Sequence, residues 1–462
     1  MAVRVVILAA GQGTRMRSDL PKVAHTLAGR AMVNWVLAAA QGLDPAEIVV
    51  VVGHRAEVVV ATLPEGTSTC LQEQQNGTGH ATRLGLEALS WEPGDTILVL
   101  NGDAPLLDTG TLVELVGSRG DAPVSLLTAV LDDASGYGRV ARVDGSLARI
   151  IEDSDAKAAE VEITEINAGM FAFDAATLAR ELPLLSNNTS QGEYYLPQVL
   201  DALVSRGEIV QSVVVDEMAV AGVNDQRQLV ALAAILHSRI NNHLMEHHGV
   251  WMQDPGSVFI DADVDVADGV RMYPNVHLEG LSSVGAGSEL GPGVFAVDSS
   301  IGKESKVWFA VLRQAVIGSD CEVGPYASLR PGTILKDGAK MGTFVETKNA
   351  VVGEGSKIPH LSYVGDATLG KNVNWGAGAI TANYDGVDKH HTTVEDGGFI
   401  GTDSMLVAPV TIGKNAFTGA GSVISKDVDP GALAVERSSQ KQIDGYGDRV
   451  HARRATKKKE KG

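Results

Sequence analysis

The chain has few cysteines, few aromatic residues and a deficit of positive charge. Its 462 residues include only 2 cysteines, Cys70 and Cys321, far apart and without metal-ligand spacing. A disulfide framework is therefore excluded, and a reducing compartment is indicated. The net charge of −19 argues against a nucleic-acid-binding protein, because phosphate backbones attract basic surfaces. Aromatic residues make up 5% while glycines number 52, which predicts a region of tight turns rather than an aromatic core.

Long hydrophobic runs are also missing. No stretch approaches the roughly 20 apolar residues that are needed to cross a bilayer. The apolar start, Val3 to Ala10, runs directly into Gly11-Gln12-Gly13 and lacks the length and cleavage pattern of a signal peptide. We therefore expect a cytoplasmic protein, and its length predicts two or three domains.

The first half of the chain alternates short apolar runs with helical patterns. The runs at residues 3–8, 48–52, 96–100 and 124–130 are typical of buried strands. This alternation predicts an α/β domain with a mostly parallel sheet that is covered on both faces. Ligands of such sheets bind beyond the carboxyl ends of the strands.

From about residue 255 to 430, an aliphatic residue followed by glycine recurs, often at multiples of six. This hexapeptide periodicity predicts a parallel β-helix, in which each coil buries its aliphatic residue by stacking on its neighbours. An irregular all-β domain with coincidental glycines is the alternative, and the persistence of the repeat disfavours it. The pairs are Val284-Gly285, Ile301-Gly302, Ile317-Gly318, Val323-Gly324, Val352-Gly353, Leu369-Gly370, Ile400-Gly401 and Ile412-Gly413.

Between the halves, regularly spaced apolar residues predict an amphipathic connecting helix. They are Leu229, Leu232, Leu236, Ile240 and Leu244. We therefore predict an α/β domain over 1–227, the connecting helix over 228–250, the β-helix domain over 251–437 and a tail over 438–462. The lysine-rich end, 453–461, is expected to be solvated and disordered.

The turn after the first predicted strand carries the strongest motif, Leu8-Ala9-Ala10-Gly11-Gln12-Gly13-Thr14-Arg15-Met16, with Lys22 following. Backbone N–H groups at such a strand-to-helix turn can bind phosphate. The motif lacks the Gly-Lys-Ser/Thr ending of a Walker A loop and the glycine spacing of a dinucleotide fold. Arg15 and Lys22 add two cations, which suits a triphosphate that loses pyrophosphate. A glycine turn with surface cations is the alternative.

This motif resembles that of the sugar-phosphate nucleotidyltransferases. Further segments, in the right order over nearly the whole chain, resemble one bifunctional family, the N-acetylglucosamine-1-phosphate uridyltransferase/glucosamine-1-phosphate acetyltransferases. These segments are Gln72, Gly77-Thr78-Gly79-His80-Ala81, Asn101-Gly102-Asp103, Gly136-Tyr137-Gly138-Arg139-Val140, Glu152, Glu165-Ile166-Asn167, Gly192-Glu193-Tyr194-Tyr195 and Gly222-Val223-Asn224-Asp225.

The resemblance implies a uridylyltransferase site in which Arg15 and Lys22 are catalytic and Asp103 and Asn224 hold Mg²⁺. By itself, Asn224 before a helical pattern is better explained as an N-cap, and only Asp103 and the order of the family segments favour metal binding. Glu152 by itself is a solvated carboxylate by default. Asn101 replaces a tyrosine that is frequent in the family. The UTP- and sugar-binding residues implied are Leu8, Ala9, Ala10, Gly11, Gly13, Lys22, Gln72, Gly77, Thr78, Gly138, Glu152, Asn167 and Asn224.

A second reaction, acetyl transfer to an amine, needs a base for the ammonium proton. His360, within the segment 356–366, is the candidate because histidine titrates in the useful range, although a lone histidine in a turn is more often structural. By resemblance, Arg330, Lys348, Tyr363, Asn374 and Lys389 bind the sugar phosphate. The acetyl-coenzyme A-binding residues implied are Ala377, Asn383, Tyr384, Thr402, Ala420 and Arg437.

The resemblance further implies a left-handed β-helix and a homotrimer with acetylation sites between neighbours. Thr402 and Pro359 stand where the family commonly has serine and glycine. The pairs His247-His248 and His390-His391 are expected to face solvent rather than bind zinc, because adjacent strand residues point to opposite faces.

The expected function is bifunctional. Glucosamine 1-phosphate is acetylated from acetyl-coenzyme A, and the N-acetylglucosamine 1-phosphate formed reacts with UTP to give UDP-N-acetylglucosamine, a precursor of bacterial cell-wall polymers. Neither nucleic acid nor membrane is an expected partner. One alternative is a nucleotidyltransferase with a non-catalytic, oligomerising β-helix, which the polar set around His360 disfavours. Another is a non-enzymatic scaffold, which leaves the glycine loop unexplained.

Overall fold

The computed structural model describes residues 2–187 and 192–459. Two compact units are present, one formed by Met1–Asn242 with Ile260–Ala262 and the other by His243–Phe259 with Asp263–Gly462. None of the helices in the described part is both long enough and apolar enough to span a membrane.

The first unit contains a nine-stranded sheet and a separate two-stranded one. Its strands are β1 (Val3–Ala9), β2 (Thr26–Leu27), β3 (Arg30–Ala31), β4 (Glu47–Val52), β5 (Ser68–Leu71), β6 (Thr96–Asn101), β7 (Val124–Val130), β8 (Arg139–Val143), β9 (Ser146–Ile151), β10 (Glu165–Asp174) and β11 (Val210–Val214). The sheet order is β11-β7-β10-β6-β1-β4-β5, and β8 pairs with β10 and β9. The four predicted strands are thus present within a few residues of their expected bounds.

Helices connect these strands. They are α1 (Met32–Gln41), α2 (Ala56–Thr62), α3 (Thr78–Ala88), α4 (Thr109–Arg119), α5 (Ala175–Glu181), α6 (Gln198–Ser205) and α7 (Gln226–His247). Short 3₁₀ turns lie at Thr14–Met16, Lys22–Ala24, Asp153–Asp155, Leu182–Leu184, Glu217–Val220 and Pro255–Ser257. The predicted amphipathic helix is therefore present as α7.

Strand β1 is central because its residues are apolar on both faces. Val5, Val6 and Ile7 are fully buried, as suits a strand that is covered by helices on both sides. β1 pairs in parallel with β4 and β6, and Leu8 lies opposite Val51 and Asn101. β10 runs antiparallel to β6 and β7, so the sheet is mostly but not wholly parallel. The carboxyl ends of β1 and β6 consequently open at the same edge.

The second unit is a parallel β-helix, as the repeat predicts. Its strands are β12 (Trp251–Met252), β13 (Val258–Ile260), β14 (Asp265–Val266), β15 (Arg271–Met272), β16 (Val276–Glu279), β17 (Ser283–Val284), β18 (Glu289–Leu290), β19 (Val294–Val297), β20 (Ser300–Ile301), β21 (Lys306–Val307), β22 (Ala310–Arg313), β23 (Val316–Ile317), β24 (Glu322–Val323), β25 (Ala327–Leu329), β26 (Ile334–Leu335), β27 (Lys340–Thr343), β28 (Glu346–Val352), β29 (Lys357–His360), β30 (Tyr363–Leu369), β31 (Asn374–Trp375), β32 (Ile380–Ala382), β33 (Thr392–Val394), β34 (Phe399–Ile400), β35 (Met405–Val407), β36 (Val410–Ile412), β37 (Phe417–Thr418), β38 (Val423–Ile424) and β39 (Leu433–Ala434).

The repeated aliphatic residues stack inside this β-helix. One buried row runs through Val266, Val284, Ile301, Ile317, Leu335, Val352, Leu369, Val394 and Ile412, each paired in register with the next. Each coil thus buries its apolar side chain only against its neighbours. The eleven-stranded sheet on one face ends at β39, which pairs with β37.

The lysine-rich end differs from its prediction. Helix α8 spans Tyr446–Lys459, whereas the sequence predicts disorder from residue 453. Alanine, arginine and lysine are good helix formers, which explains the helix despite its high charge. Its side chains are exposed almost throughout, in keeping with a solvated segment, and residues 460–462 lie outside the described part.

Candidate active sites

The glycine loop follows β1 directly and brings Lys22 beside it. Gly13 has a φ of 63°, the left-handed region that favours glycine. A Cβ atom at Gly13 would lie 2.5 Å from Cβ of Lys22. Glycine is therefore required here for two reasons, its backbone conformation and the close approach of Lys22.

Two cation–oxygen pairs lie at the carboxyl end of β6. Lys22 Nζ donates to Asp103 Oδ2, and Arg15 Nη2 donates to Asn224 Oδ1 at 2.7 Å. The backbone N–H of Val223 donates to the carbonyl oxygen of Asp103 at 3.1 Å, which places Asn224 next to Asp103. The predicted catalytic cations and the predicted metal ligands thus meet at one place.

A cavity of about 670 Å³ extends from this point along the glycine loop. Gln72, only 3% exposed, donates from Nε2 to the carbonyl oxygen of Gly77 at 3.1 Å. Thr78 begins α3, and its hydroxyl accepts from the backbone N–H of Leu196 at 3.1 Å. The predicted UTP- or metal-binding residues that line this cavity are Leu8, Ala9, Ala10, Gly11, Gly13, Lys22, Gln72, Gly77, Thr78 and Asp103.

A second cavity, of about 290 Å³, adjoins the first. The two share Leu8, Thr78, Asn101, Asp103 and Glu193 as lining residues. The remaining predicted residues of this domain line the second cavity, and they are Arg15, Gly138, Glu152, Asn167 and Asn224. The two cavities can therefore hold a nucleotide and a second phosphorylated molecule with Asp103 between them.

Glu152 has an unusual electrostatic environment in the second cavity. Burial raises the pKa of its carboxyl group, and the negative charges of Asp155, Asp201 and Asp153 raise that pKa further. The carboxyl oxygens lie 3.5 Å from where a Cβ atom of Gly138 would be. Glu152 is therefore part of the wall of the second cavity and is not a fully solvated carboxylate, contrary to the default expectation for an isolated glutamate.

Several lining residues were missing from the predicted site. Gln75 and Glu193 line the first cavity, and Tyr137 and Tyr195 line the second. Burial and the charge of Asp103 raise the pKa of the Tyr137 hydroxyl. Three of these residues stand in or beside segments that carry the family resemblance, but sequence alone did not show which side chains point inward.

In the β-helix, His360 ends β29 and its side chain is exposed. Its carbonyl oxygen accepts from the hydroxyl of Ser362 at 2.7 Å and from the N–H of Gly378 at 3.4 Å. Because Lys357 pairs with Asn374, Ala377 occupies the His360 position of the next coil. His360 therefore belongs to a row of equivalent positions, in which Thr343 precedes it and Ala377 follows it.

The predicted acetyl-coenzyme A residues continue this row. Asn374 pairs with Phe399, which pairs with Phe417, so Ala377, Thr402 and Ala420 follow one another on successive coils. At the far end, Arg437 Nη1 donates to the carbonyl oxygen of Ala420 at 3.0 Å. The row offers a continuous track along the β-helix surface that leads to His360.

Three of the five predicted sugar-phosphate residues lie on the adjoining face, which the seventeen-stranded sheet forms: Arg330 directly follows β25, Lys348 lies on β28 and Tyr363 begins β30. Arg330 Nη1 donates to Glu346 at 2.8 Å, and Glu346 pairs with Tyr363. Lys348 pairs with Gly365, where a Cβ atom would lie 2.5 Å from Cζ of Tyr363. Gly365 thus leaves room for the tyrosine ring, and His360 stands at the corner between this face and the track.

The structure does not bring all the predicted acetyltransferase residues to that corner. Asn374 lies on β31, on the face that carries the track. Lys389 lies on a loop, with Nζ 5.1 Å from the ring centroid of Tyr384. Asp385 fixes that loop, accepting from the backbone N–H groups of Val387 and Asp388 at 2.8 Å and contacting His390 Nε2 at 2.7 Å.

Asp366 was not singled out from the sequence as a site residue, yet it organises the start of the same loop. Its carboxylate accepts from the amide of Asn383, which is buried, and from that of Asn349. Only the fold shows this contact, because Asn349 and Asn383 are both 17 residues away, one coil on either side.

The two histidine pairs, His247-His248 and His390-His391, lie at exposed or partly exposed positions. His247 and His391 are exposed, and His248 contacts Asp268 at 3.0 Å. Within residues 2–187 and 192–459, no group of three or more His, Cys, Asp or Glu side chains is arranged to hold a metal ion.

Comparison with known proteins adds to this geometry. Residues 5–164 match the family described as MobA-like NTP transferase domain. The chain is 46% identical over 451 residues to the bifunctional protein GlmU of Streptomyces avermitilis, covering 96% of this chain and 93% of that protein. It is 44% identical to that of Carboxydothermus hydrogenoformans, with 96% and 99% covered. It is 46% identical to that of Syntrophomonas wolfei, with 97% and 100% covered.

Proposed function

The chain belongs to the family of bifunctional GlmU proteins, and from this premise we propose which residues perform its two reactions. It is a transferase of UDP-N-acetylglucosamine synthesis that combines uridylyltransferase and acetyltransferase activities. The observation that carries the first activity is the meeting of Lys22–Asp103 and Arg15–Asn224 where two cavities join.

In the uridylyl transfer, UTP occupies the first cavity and N-acetylglucosamine 1-phosphate the second. A phosphate oxygen of the sugar attacks the α-phosphorus of UTP, a new P–O bond forms, and the bond to the pyrophosphate oxygen breaks. Such transfers depend on positioning and charge neutralisation rather than on covalent catalysis. Arg15 and Lys22 oppose the charge on the phosphates, and the buried amide of Gln72 recognises the uracil.

Asp103 and Asn224 fit a magnesium ion. They offer a carboxylate and an amide oxygen, which are the ligand types that Mg²⁺ prefers. Both oxygens face cationic side chains. If the two oxygens held the ion, Lys22 and Arg15 would be available to contact phosphates. Bound Mg²⁺ supplies charge neutralisation on the phosphate oxygens.

In the acetyl transfer, the amine of glucosamine 1-phosphate attacks the thioester carbonyl of acetyl-coenzyme A. His360 takes the proton that the amine loses, the C–N bond forms, and the C–S bond breaks to release the thiol. Arg330 and Lys348 bind the sugar phosphate on one side of His360. The coenzyme lies along Ala377, Thr402 and Ala420 on the other side, with Arg437 at a coenzyme phosphate.

A homotrimer through the β-helix is part of the proposal, and a row of exposed side chains supports it. Phe309, Tyr326, Phe344 and Leu361 are 41%, 56%, 58% and 62% exposed. The three rings stack at centroid distances of 5.3 and 5.4 Å. All four residues have φ between 43° and 59°, a left-handed conformation that bulky side chains rarely adopt. We call these four residues the apolar ladder.

The apolar ladder passes next to the site, because Leu361 directly follows His360. A second copy of the chain seated on the ladder would cover apolar surface and shield His360 from water. We further propose a cytoplasmic enzyme that provides a precursor for the bacterial cell wall, and small molecules as its substrates.

The test is an assay with glucosamine 1-phosphate, acetyl-coenzyme A, UTP and Mg²⁺, in which free thiol and pyrophosphate are followed separately. We expect both products, with pyrophosphate release dependent on prior acetylation. Pyrophosphate only from pre-acetylated sugar phosphate, without thiol release, would mean that the β-helix site is inactive. Omission of Mg²⁺ should stop pyrophosphate release but not thiol release.

A further inference from the structure

Arg139 stands out because it is a charged side chain buried to 2% exposure that the reaction does not use directly. Its Nη1 atom donates to Asp153 Oδ1 at 2.6 Å and to the carbonyl oxygen of Tyr137 at 3.2 Å. Its Nε atom donates to the carbonyl oxygen of Val161 at 3.3 Å. A buried guanidinium is costly unless such partners satisfy it.

The main chain of Arg139 pairs with two neighbouring strands. It pairs with Ile151 on β9 and with Ile166 on β10. The neighbouring carbonyl oxygen, that of Gly138, accepts from the backbone N–H of Asn167 at 2.7 Å. Arg139 is thus the residue at which β8, β9 and β10 meet.

These contacts surround the three residues proposed to bind the N-acetyl sugar. Gly138 precedes Arg139, and Asn167 follows its pairing partner Ile166. Glu152 lies between Ile151, which pairs with the Arg139 main chain, and Asp153, which binds its guanidinium. The strand register and the ion pair therefore fix Glu152 from both sides.

We propose that Arg139, through its ion pair with Asp153, is a positioning residue that sets the sugar-recognising wall of the uridylyltransferase site. It orients Gly138, Glu152 and Asn167 without touching the substrate. This inference rests on the proposed function, since it concerns the affinity for N-acetylglucosamine 1-phosphate. It predicts an effect on that substrate and not on UTP, which lies against the glycine loop.

The test compares the variants Asp153→Asn and Arg139→Lys of the full chain, assayed for pyrophosphate with pre-acetylated sugar phosphate. Asp153 is 43% exposed, so Asp153→Asn should fold, and it keeps an oxygen acceptor while losing the charge. We expect KM for the sugar phosphate to rise roughly tenfold, because small misplacements of binding groups are costly, with KM for UTP unchanged. Arg139→Lys, which can reach fewer of the acceptors, should show the same selective loss.

The matched control is Arg142→Lys on the same strand. Arg142 binds Glu165 through two bonds of 2.7 and 2.6 Å. Its main chain pairs with Leu147, whereas that of Arg139 pairs with Ile151, the residue before Glu152. The proposal is overturned if KM for the sugar phosphate changes no more than in this control, or if both substrates lose affinity equally. Failure of the unmodified protein to release pyrophosphate would instead refute the proposed function, so the two outcomes are distinct.

Discussion

In the α/β unit, loops from distant parts of the chain line the proposed site, whereas in the β-helix His360 and three proposed coenzyme-binding residues occupy equivalent positions of successive coils. These three residues are Ala377, Thr402 and Ala420. Asn224 reaches Arg15 across 209 residues of sequence, and residues of the one chain line both cavities there. His360 is instead exposed on a repetitive surface. One proposed site is thus lined by a single chain, whereas the proposed site at His360 would be shielded from water by the further surface that we propose at the apolar ladder.

The largest effect is expected from removing the proposed general base, His360, which should affect only one of the two activities. His360→Ala should lower the rate of thiol release by about 10²- to 10⁴-fold, because it removes the general base. Pyrophosphate release from pre-acetylated sugar phosphate should be unchanged. His391→Ala, at another exposed histidine of the same unit, is the control and should alter neither. Loss of both activities in a folded His360→Ala protein would show that the sites are not independent.

The reverse effect is expected at the α/β unit. Asp103→Ala should lower pyrophosphate release by about 10²- to 10³-fold, since it removes a metal ligand and leaves Lys22 without its carboxylate. Thiol release should be retained. Asp121→Ala, at an exposed carboxylate of the same unit, serves for comparison. Normal uridylyl transfer by the Asp103 variant would remove Asp103 from the proposed metal site.

The proposed covering of the His360 site by a second copy of the chain is tested at the apolar ladder. Phe309→Asn combined with Tyr326→Asn should weaken self-association by at least roughly thirtyfold, as expected for the loss of aromatic interface anchors. Asparagine tolerates the positive φ of both positions, so the coils should remain folded. Sedimentation velocity would measure the association, and thiol release should fall with it while pyrophosphate release stays constant.

The control for the ladder is Leu281→Asn, which changes a side chain that is 79% exposed in the same unit but lies outside the ladder. It should leave association intact. A double variant that still associates and acetylates normally would contradict the ladder as the shared surface.

The smallest effect concerns pH dependence in the α/β unit. Asp201 raises the pKa of Glu152 through its negative charge, so Asp201→Asn should lower that pKa. Glu152 then stays ionised to lower pH, and the acidic limb of kcat/KM for N-acetylglucosamine 1-phosphate should move down by about half a pH unit. Asp133→Asn, which changes a carboxylate that is not among those that raise the pKa of Glu152, should leave the limb in place. A shift to higher pH would contradict the assignment of Asp201.

The sequence predicts local features of this molecule well and long-range contacts poorly. The glycine loop and the hexapeptide repeat are patterns of neighbouring residues, so the first strand and the stacked aliphatic row are visible in them. The meeting of Arg15 with Asn224 requires the tertiary fold. So does the role of Arg139, whose buried position no local pattern distinguishes from that of Arg142 on the same strand.

The resemblance to a family supplied the site residues that patterns could not. Their roles stay predictions, because contacts alone do not show which side chain binds which substrate. The helix at Tyr446–Lys459 was missed for another reason. Its charge pattern indicates solvation, whereas intrinsic helix propensity, which acts independently of burial, favours the helix.

One face of the β-helix ends at β39, and this affects the order in which the coils unfold on heating. A coil inside the β-helix is held by two neighbours, but the last coil is held by one, so thermal opening starts there. Arg437 lies three residues after the end of β39, whereas His360 lies several coils inward. On warming, we therefore expect the proposed contact between Arg437 and the coenzyme phosphate to be lost while His360 is still in place. The affinity for acetyl-coenzyme A should then fall before the coils around His360 unfold.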